Sequence, residues 1–393
     1  MANKLGILIA GYGGGIGSTV VAGLDLMSRK LRPQLGMICA APDSSGQTIE
    51  NRLEVPNLTD IVVSGWDTID QSVEQALYMH EVLSKTDIAE VSTSVLAQRP
   101  MLISNTSKIQ DDALEWGSRI EHLRQDIKQF KTNNQLDYAV VVNCISTQPT
   151  PDWTEDYNSL ERFKASCANL DSNITPSMEY ACAAILEFAG YVNFTPNIVS
   201  IPAIVELANE KRVPLAGRDG KTGQTLLKTT LAPAFKLRAL EVEGWFSTNI
   251  LGNRDGEALN DPIACHTKIK SKVSCLDDIM NYPVADHQVH IHYYRPRRDN
   301  KESWDNIDLN GFLGYPMQIK VNFLCRDSIL AAPLILDIAR LMTVSLRNGE
   351  SGPLSHFSLF FKSPEIPEGT QVQHDLFIQR NLLEKWIEQS CKG

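Results

Sequence analysis

Two groups of residues in this sequence have the types and spacing to do chemistry, and they lie far apart in the chain. The first is Gly11-Tyr-Gly13-Gly14-Gly15-Ile16-Gly17-Ser18-Thr19, directly behind the apolar hexapeptide Leu5–Ala10. Glycines let a backbone approach a ligand closely, and a helix opening there presents unpaired N–H groups to an anion such as a dinucleotide pyrophosphate. The GxGGxxG spacing is one residue longer than the commonest dinucleotide fingerprint, and a tight turn under a close-packed helix would use the same residues. The carboxylate that usually follows a second strand to hold the adenosine ribose is not evident. Asp43 lies past the strand candidate, Cys39-Ala-Ala holds no acid, and Asp67 in Gly65-Trp66-Asp67 is the other candidate.

The second group is lysines. Lys268 and Lys272 stand four apart, and on a helix such like charges disfavour one another by ~0.2–0.5 kcal/mol unless an anion lies between them. Lys301 belongs to Arg295-Pro-Arg-Arg-Asp299-Asn-Lys301, a basic knot in an acidic chain, and Lys362 follows the apolar run Phe357–Phe361. Lys221 and Lys228 flank Thr222-Gly223-Gln224-Thr225. Each alone reads first as an ordinary solvated lysine. Buried together, they would bind a phosphate, polarise a carbonyl and supply a base of lowered pKa. Asp219 and Asp327 are single carboxylates in polar turns, where capping a helix is an equal reading. His290 and His292 share a strand face without a carboxylate or cysteine partner, so no metal site is expected there. No G-x-S-x-G, H-E-x-x-H or P-loop pattern occurs.

These residues need elements to position them. Leu5–Ala10 is a buried parallel strand, followed by a helix over about 17–28. Leu35–Ala41 reads as the second strand, closed by the Pro42–Gly46 turn cluster. Apolar residues at Leu114, Trp116, Ile120, Leu123, Ile127 and Phe130 predict a surface helix over 109–130, and Tyr138–Cys144 is another buried strand. Strands alternating with helices over the first ~200 residues predict an α/β fold with a Rossmann-like, doubly wound parallel sheet. After about residue 238 the pattern changes. Ala239–Ile250, His287–Tyr294 and Met317–Leu324 alternate apolar and polar residues, which predicts a mainly antiparallel α+β second domain. Leu330–Leu346 and Asp375–Gln389 read as helices. The expected organisation is a nucleotide-binding domain over 1–222 and 335–393, interrupted by a catalytic domain over 223–334.

Composition bounds the function. The 393 residues are 43% hydrophobic and 21% charged, so wholesale disorder is excluded. A net charge of −10 argues against a general nucleic-acid or anionic-membrane binder, while leaving room for one basic pocket. No uninterrupted apolar run of ~18 residues suggests a membrane span, and the start of the chain has no signal-peptide layout. Eight scattered cysteines without a CxxC pair read as reduced thiols, so a cytoplasmic location is expected.

Several segments also resemble a known family when taken in order. They are GYGGGIGSTVVAG, Ser172-Asn-Ile-Thr175-Pro-Ser, GRDGKTGQTLLKTTLAP (217–233), NILGNRDGEAL (249–259), the Lys268/Lys272 pair, Asp299-Asn-Lys301, RDSILAAPLILDIAR (326–340) and FFKSP (360–364). Together they look like the myo-inositol-1-phosphate synthases, in particular the short archaeal and bacterial form. The likeness covers almost the whole chain, strongest at about 190–365 and weakest at 45–135. Gly15-Ile16 stands where eukaryotic members often have Asn-Asn.

The resemblance implies an enzyme that isomerises D-glucose 6-phosphate to a myo-inositol phosphate, with NAD reduced and re-oxidised in one turnover. The implied steps are oxidation at C5, loss of a C6 proton to an enolate, aldol attack on the C1 aldehyde, and reduction of the inosose. By the same resemblance, Lys268 transfers the proton at C5, Lys272 and Lys301 stabilise enolate and phosphate, and Lys362 polarises the C1 carbonyl and protonates the aldol oxygen. Thr222, Gly223 and Gln224 would hold the phosphate. NAD would be held by Gly11, Gly13, Gly14, Gly15, Ile16 and Gly17, by Asp67 at the adenosine ribose, and by Ser146 and Thr147. Asp219, Asn253, Asp255, Asp299 and Asp327 would lie near its nicotinamide end. A divalent cation bridging phosphate and cofactor stays open, with no dedicated ligand set in the sequence. A homotetramer built through the antiparallel domain is implied. Two rivals remain: a dehydrogenase of a phosphorylated polyol, which needs fewer cations because no carbanion forms, and a non-catalytic dinucleotide-binding protein. Lys362→Ala is expected to fold normally and to lose turnover by orders of magnitude.

Overall fold

The apolar runs with no polar face become the centre of a parallel sheet. The computed structural model describes residues 3–103, 115–252 and 275–391. Its first sheet is built from β1 (Leu5–Ala10), β2 (Ile61–Asp67), β3 (Met101–Leu102), β4 (Tyr138–Asn143), β5 (Gly190–Asn193), β6 (Pro214–Gly217) and, late in the chain, Gly352–Pro353. All pairings are parallel, and the late strand pairs with β6 at the edge, outside the order β6-β5-β4-β1-β2-β3. This is double winding, with the direction of strand addition reversing beside β1, and the crevice outside that reversal is where such sheets bind ligands. β1 is buried at every residue because helices cover both faces. One face carries α1 (Gly15–Ser28) and the other carries helices Ser118–Asn134 and Pro176–Leu186.

The register sets the site. Ala10 pairs with Trp66 on one side and with Asn143 on the other, so three strands end level. The residues that follow, Gly11, Asp67 and Cys144, therefore emerge together at one edge.

The sequence expectation for the second strand is corrected. Leu35–Ala41 is a turn, and β2 is Ile61–Asp67. Met37 and Cys39 are buried as an apolar run should be. However, the Ile38 and Cys39 N–H groups donate to the carboxylate of Asp337, at 2.6 and 3.4 Å, instead of to a neighbouring strand. A buried backbone needs partners, and here a side chain supplies them.

The second sheet follows helix α2 (Gly223–Leu237). Its strands are β7 (Glu241–Leu251), β8 (Asp286–Tyr293), β9 (Asn300–Asn310) and β10 (Pro316–Arg326), in the order β10-β9-β7-β8. The β10–β9 and β9–β7 pairs are antiparallel, whereas β7 and β8 run parallel. A parallel pair needs a long crossover, and 34 residues separate β7 from β8 in the chain. The sequence reading had no strand at 300–310, yet β9 is the partner of both β10 and β7. Helix α3 (Asp327–Arg347) then carries the chain without a break from β10 back onto the first sheet. Among the described residues, α3 is the helix long and apolar enough to cross a membrane, but most of it is buried inside the fold, as in a core helix. The chain ends on helix α4 (Leu376–Ser390), whose N-cap Asp375 accepts hydrogen bonds from the Phe377 and Ile378 N–H groups.

Candidate active site

The glycine loop turns where a side chain would not fit. Gly11 has φ +88°, and a Cβ there would lie 2.8 Å from the Cys144 carbonyl oxygen. At Gly17 a Cβ would meet the carbonyl oxygens of Tyr12 at 2.5 Å and Gly11 at 2.7 Å. No side chain caps α1, so its first-turn N–H groups are open to an anion. Asp67, the last residue of β2, accepts a hydrogen bond from the Gly13 N–H at 2.9 Å and from those of Thr68 and Ile69 at 2.8 and 3.2 Å. Asp67, the candidate that the sequence offers beside Asp43, thus stands at the end of the true second strand, Ile61–Asp67. Sequence reasoning missed Gln71 and His80, which hold the Gly13 carbonyl from the other side at 2.8 and 3.0 Å. Nothing in their local sequence marks them, because the bonds span 58 and 67 residues.

A cleft of about 870 Å³ runs from this loop to the second sheet. Gly11, Gly13, Gly14, Gly15, Ile16, Asp67, Ser146 and Thr147 line one end, and Asp219, Thr222, Asp299, Lys301, Asp327 and Lys362 the other. Lys301 enters on β9 and lies 3.3 Å from Asp327 Oδ1, which also accepts the Thr222 hydroxyl at 2.7 Å. Burial by itself lowers the Lys301 pKa. The carboxylates of Asp327 and Asp219 outweigh it and hold that ammonium above the ordinary lysine value. Lys362 reaches Asp219 Oδ1 at 2.7 Å, and its own backbone N–H donates to the Asp219 carbonyl, also at 2.7 Å. Both lysine side chains are buried, each beside a carboxylate, so the cleft has two fixed cations of known position.

Other expected residues sit elsewhere. Gly17 is under the start of α1, and Gly223, at φ +61°, packs against the Lys301 stem, where a Cβ would come within 3.1 Å of Cε. Gln224 is buried, with its amide bonded to Asn249 and Asp305. Lys221 and Lys228 are buried but do not line the cleft. Lys221 donates to Gln379, and Lys228 lies 2.6 Å from His287 Nε2. Burial lowers them to about 7 and about 8 respectively, the opposite direction from Lys301 in the cleft. His290 and His292 stack on the exposed face of β8. Asn253, Asp255, Lys268 and Lys272 lie outside the described residues.

Asp299 carries a pH signature. Burial raises its carboxyl to about 6, with the Asp327 charge adding to the effect, although Ser328 Oγ donates to it at 2.7 Å. The folded state therefore keeps a proton that the unfolded chain has lost above about pH 4, so stability falls as pH rises from about 4 to 6. In cofactor-free protein, Asp299→Asn should reduce the stability difference between pH 4 and pH 7 by roughly 2 kcal/mol. The fall persists in part, because burial also raises Asp337 to about 6. Urea titrations at the two pH values test this, and an unchanged difference would contradict it.

A family model described as myo-inositol-1-phosphate synthase matches residues 5–388. The chain belongs to that family. Inositol-3-phosphate synthase 1 of Bacteroides thetaiotaomicron is 42% identical, over 98% of this chain and 95% of its own. The human inositol-3-phosphate synthase 1 is 29% identical over 99% of this chain and 78% of its own. Among solved structures, the inositol-3-phosphate synthase of Caenorhabditis elegans superposes with a TM-score of 0.88 at 25% identity, covering 100% of this chain and 86% of that one. In this myo-inositol-1-phosphate synthase family member, the loop glycines, the open α1 terminus and Asp67 together fit a dinucleotide: close backbone approach, an anion site and a carboxylate at the end of the second strand.

Proposed function

We propose that the chain is an NAD-dependent inositol-3-phosphate synthase, an intramolecular lyase that cyclises D-glucose 6-phosphate. The observation that carries this reading is the meeting of Lys301 and Lys362, remote in sequence, in the same cleft as the glycine loop. A simple polyol dehydrogenase needs a hydride acceptor and one base; a cyclising enzyme must also hold a carbanion and an alkoxide, which calls for more than one cation. Bound at the loop, NAD supplies a hydride acceptor that is regenerated within each turnover.

The chain's own groups do the rest. Lys268 takes the C5 hydroxyl proton. Lys272 and Lys301, with the backbone of the turn at Thr222, Gly223 and Gln224, hold the phosphate and the enolate charge. Lys362 polarises the C1 aldehyde and gives its proton to the aldol oxygen. Asp327 and Asp219 are suited to keep Lys301 and Lys362 in place, because a buried ammonium needs a nearby anion. Gly11, Gly13, Gly14, Gly15, Ile16, Gly17, Asp67, Ser146 and Thr147 hold the cofactor's adenosine and pyrophosphate, and Asp219, Asp299 and Asp327 serve its nicotinamide end, a role also assigned by family resemblance to Asn253 and Asp255. A divalent cation, where used, would neutralise phosphate charge; among the described residues no cluster of three or more His, Cys, Asp or Glu side chains is placed to hold it. In this reading residues 1–222 and 335–393 bind the dinucleotide, and 223–334 carry catalysis and assembly of a cytoplasmic homotetramer. The exposed Phe246 and Trp304, on β7 and β9, suit a sheet face that other copies cover.

The test is to incubate the protein with glucose 6-phosphate and a trace of NAD. Inositol phosphate should form in molar excess over NAD. NADH accumulating one-for-one with oxidised sugar would make the protein a dehydrogenase, and no reaction would leave a binding protein.

A further inference from the structure

The cleft's phosphate end rests on a carboxylate that it does not expose. Asp305 lies on β9 four residues after Lys301, on the same face of the strand, and is 3% exposed. Its Oδ1 accepts from Gln224 Nε2 at 2.9 Å, Trp245 Nε1 at 2.8 Å and Ser247 Oγ at 2.9 Å, and its Oδ2 accepts from Ser303 Oγ. Trp245 and Ser247 belong to β7, and Gln224 to the first turn of α2. One carboxylate therefore ties α2 to both central strands of the second sheet. The other end of the Gln224 amide is also occupied, since its Oε1 accepts from Asn249 Nδ2 at 2.9 Å. The Gln224 side chain thus points into the sheet, with its hydrogen bonds made there.

We propose that Asp305 is a positioning residue for the sugar-phosphate end of the site, acting through Gln224. It fixes the first turn of α2 against β9, and so sets the distance between the Thr222–Gly223 turn and Lys301, whose stem packs on Gly223. This rests on the functional reading above. It differs from a direct phosphate contact by Gln224 in one respect: Asp305 and Gln224 act in series. It also has an electrostatic consequence. A buried anion near a phosphate site would by charge alone weaken phosphate binding, so neutralising it should tighten binding. If the carboxylate positions the site, neutralising it should weaken binding, because a small misplacement of a binding group costs about 10²-fold.

The probe is an open-chain hexitol 6-phosphate, which has no C1 aldehyde to cyclise, titrated calorimetrically into the whole protein beside a parallel NAD titration. Asp305→Asn and Gln224→Met should each raise the hexitol phosphate Kd by about 10- to 100-fold and lower kcat/KM for glucose 6-phosphate similarly. The NAD Kd should stay within about twofold of the parent's, since the glycine loop belongs to the other sheet. The double variant should be no worse than the poorer single one. Additive losses would mean Gln224 contacts phosphate independently and would overturn the proposal, as would an Asp305→Asn protein that binds the probe as well as the parent. If Asp305→Asn fails to fold, Ser247→Ala, which removes one donor to the same oxygen, should still weaken the probe while sparing NAD, and an unchanged probe Kd there would overturn it. A parent that binds neither probe nor glucose 6-phosphate overturns the functional reading, and the positioning role with it.

Discussion

Lys362→Met is expected to reduce inositol phosphate formation by about 10²–10³-fold while leaving the NAD Kd near the parent value. Removing a fixed donor from a site of developing oxyanion charge costs about 3–4 kcal/mol of transition-state stabilisation. The Lys362 ammonium is buried and held 2.7 Å from Asp219, so no water easily replaces it. The sequence reading expected a Lys362 variant to fold normally, and the buried ion pair changes that expectation. Taking one partner from a buried pair costs about 3–5 kcal/mol, because the other charge is left behind. The single variant should therefore be less stable as well as slow. Adding Asp219→Asn should recover much of the stability without recovering turnover. Denaturation midpoints and steady-state rates on the parent, single and double variants separate the two effects. A near-normal rate in Lys362→Met would remove this lysine from the chemistry.

Gly17→Ala should raise the NAD Kd by about 10- to 100-fold, the equivalent of 1–3 kcal/mol of overpacking. The added Cβ would lie 2.5 Å from one backbone carbonyl oxygen and 2.7 Å from another. Neither belongs to a flexible side chain, so α1 must move away from the loop, carrying its open N–H groups with it. Gly23→Ala on the same helix is the control, since a Cβ there meets nothing within 4 Å. It should leave NAD binding unchanged and stabilise the helix by about 0.5–1 kcal/mol. Equal NAD affinities in the two variants would sink the argument.

Local pattern carried the reading wherever the partners are local or the environment is uniform. β1, β4 and α3 were legible because a segment covered on its faces reads as an apolar run or an apolar stripe. Leu35–Ala41 was misread for the same reason: it is apolar, with Met37 and Cys39 buried, but the Ile38 and Cys39 N–H groups go to Asp337, 299 and 298 residues away. That displaced β2, so Asp67 could be named from the sequence but not placed at the end of the second strand. β9 was illegible because its buried face runs Lys301, Ser303, Asp305, Ile307, Leu309. A strand whose inward side chains are half polar does not alternate in hydropathy, and these polar residues face inward because their partners, Asp327 for Lys301 and the Asp305 cluster for Ser303, lie on other elements or on the same face.

By itself, the chain's sequence determined where glycine is obligatory, which segments must be covered, and that lysines and carboxylates are available in family order. Only the tertiary structure decided which lysines meet. Lys221 and Lys228 turn into the interior, away from the cleft, while Lys301 and Lys362 reach it beside Asp327 and Asp219, 26 and 143 residues distant. The reason is that charge acts through distance in space and through the dielectric around it. Neither quantity exists until the strands are in register.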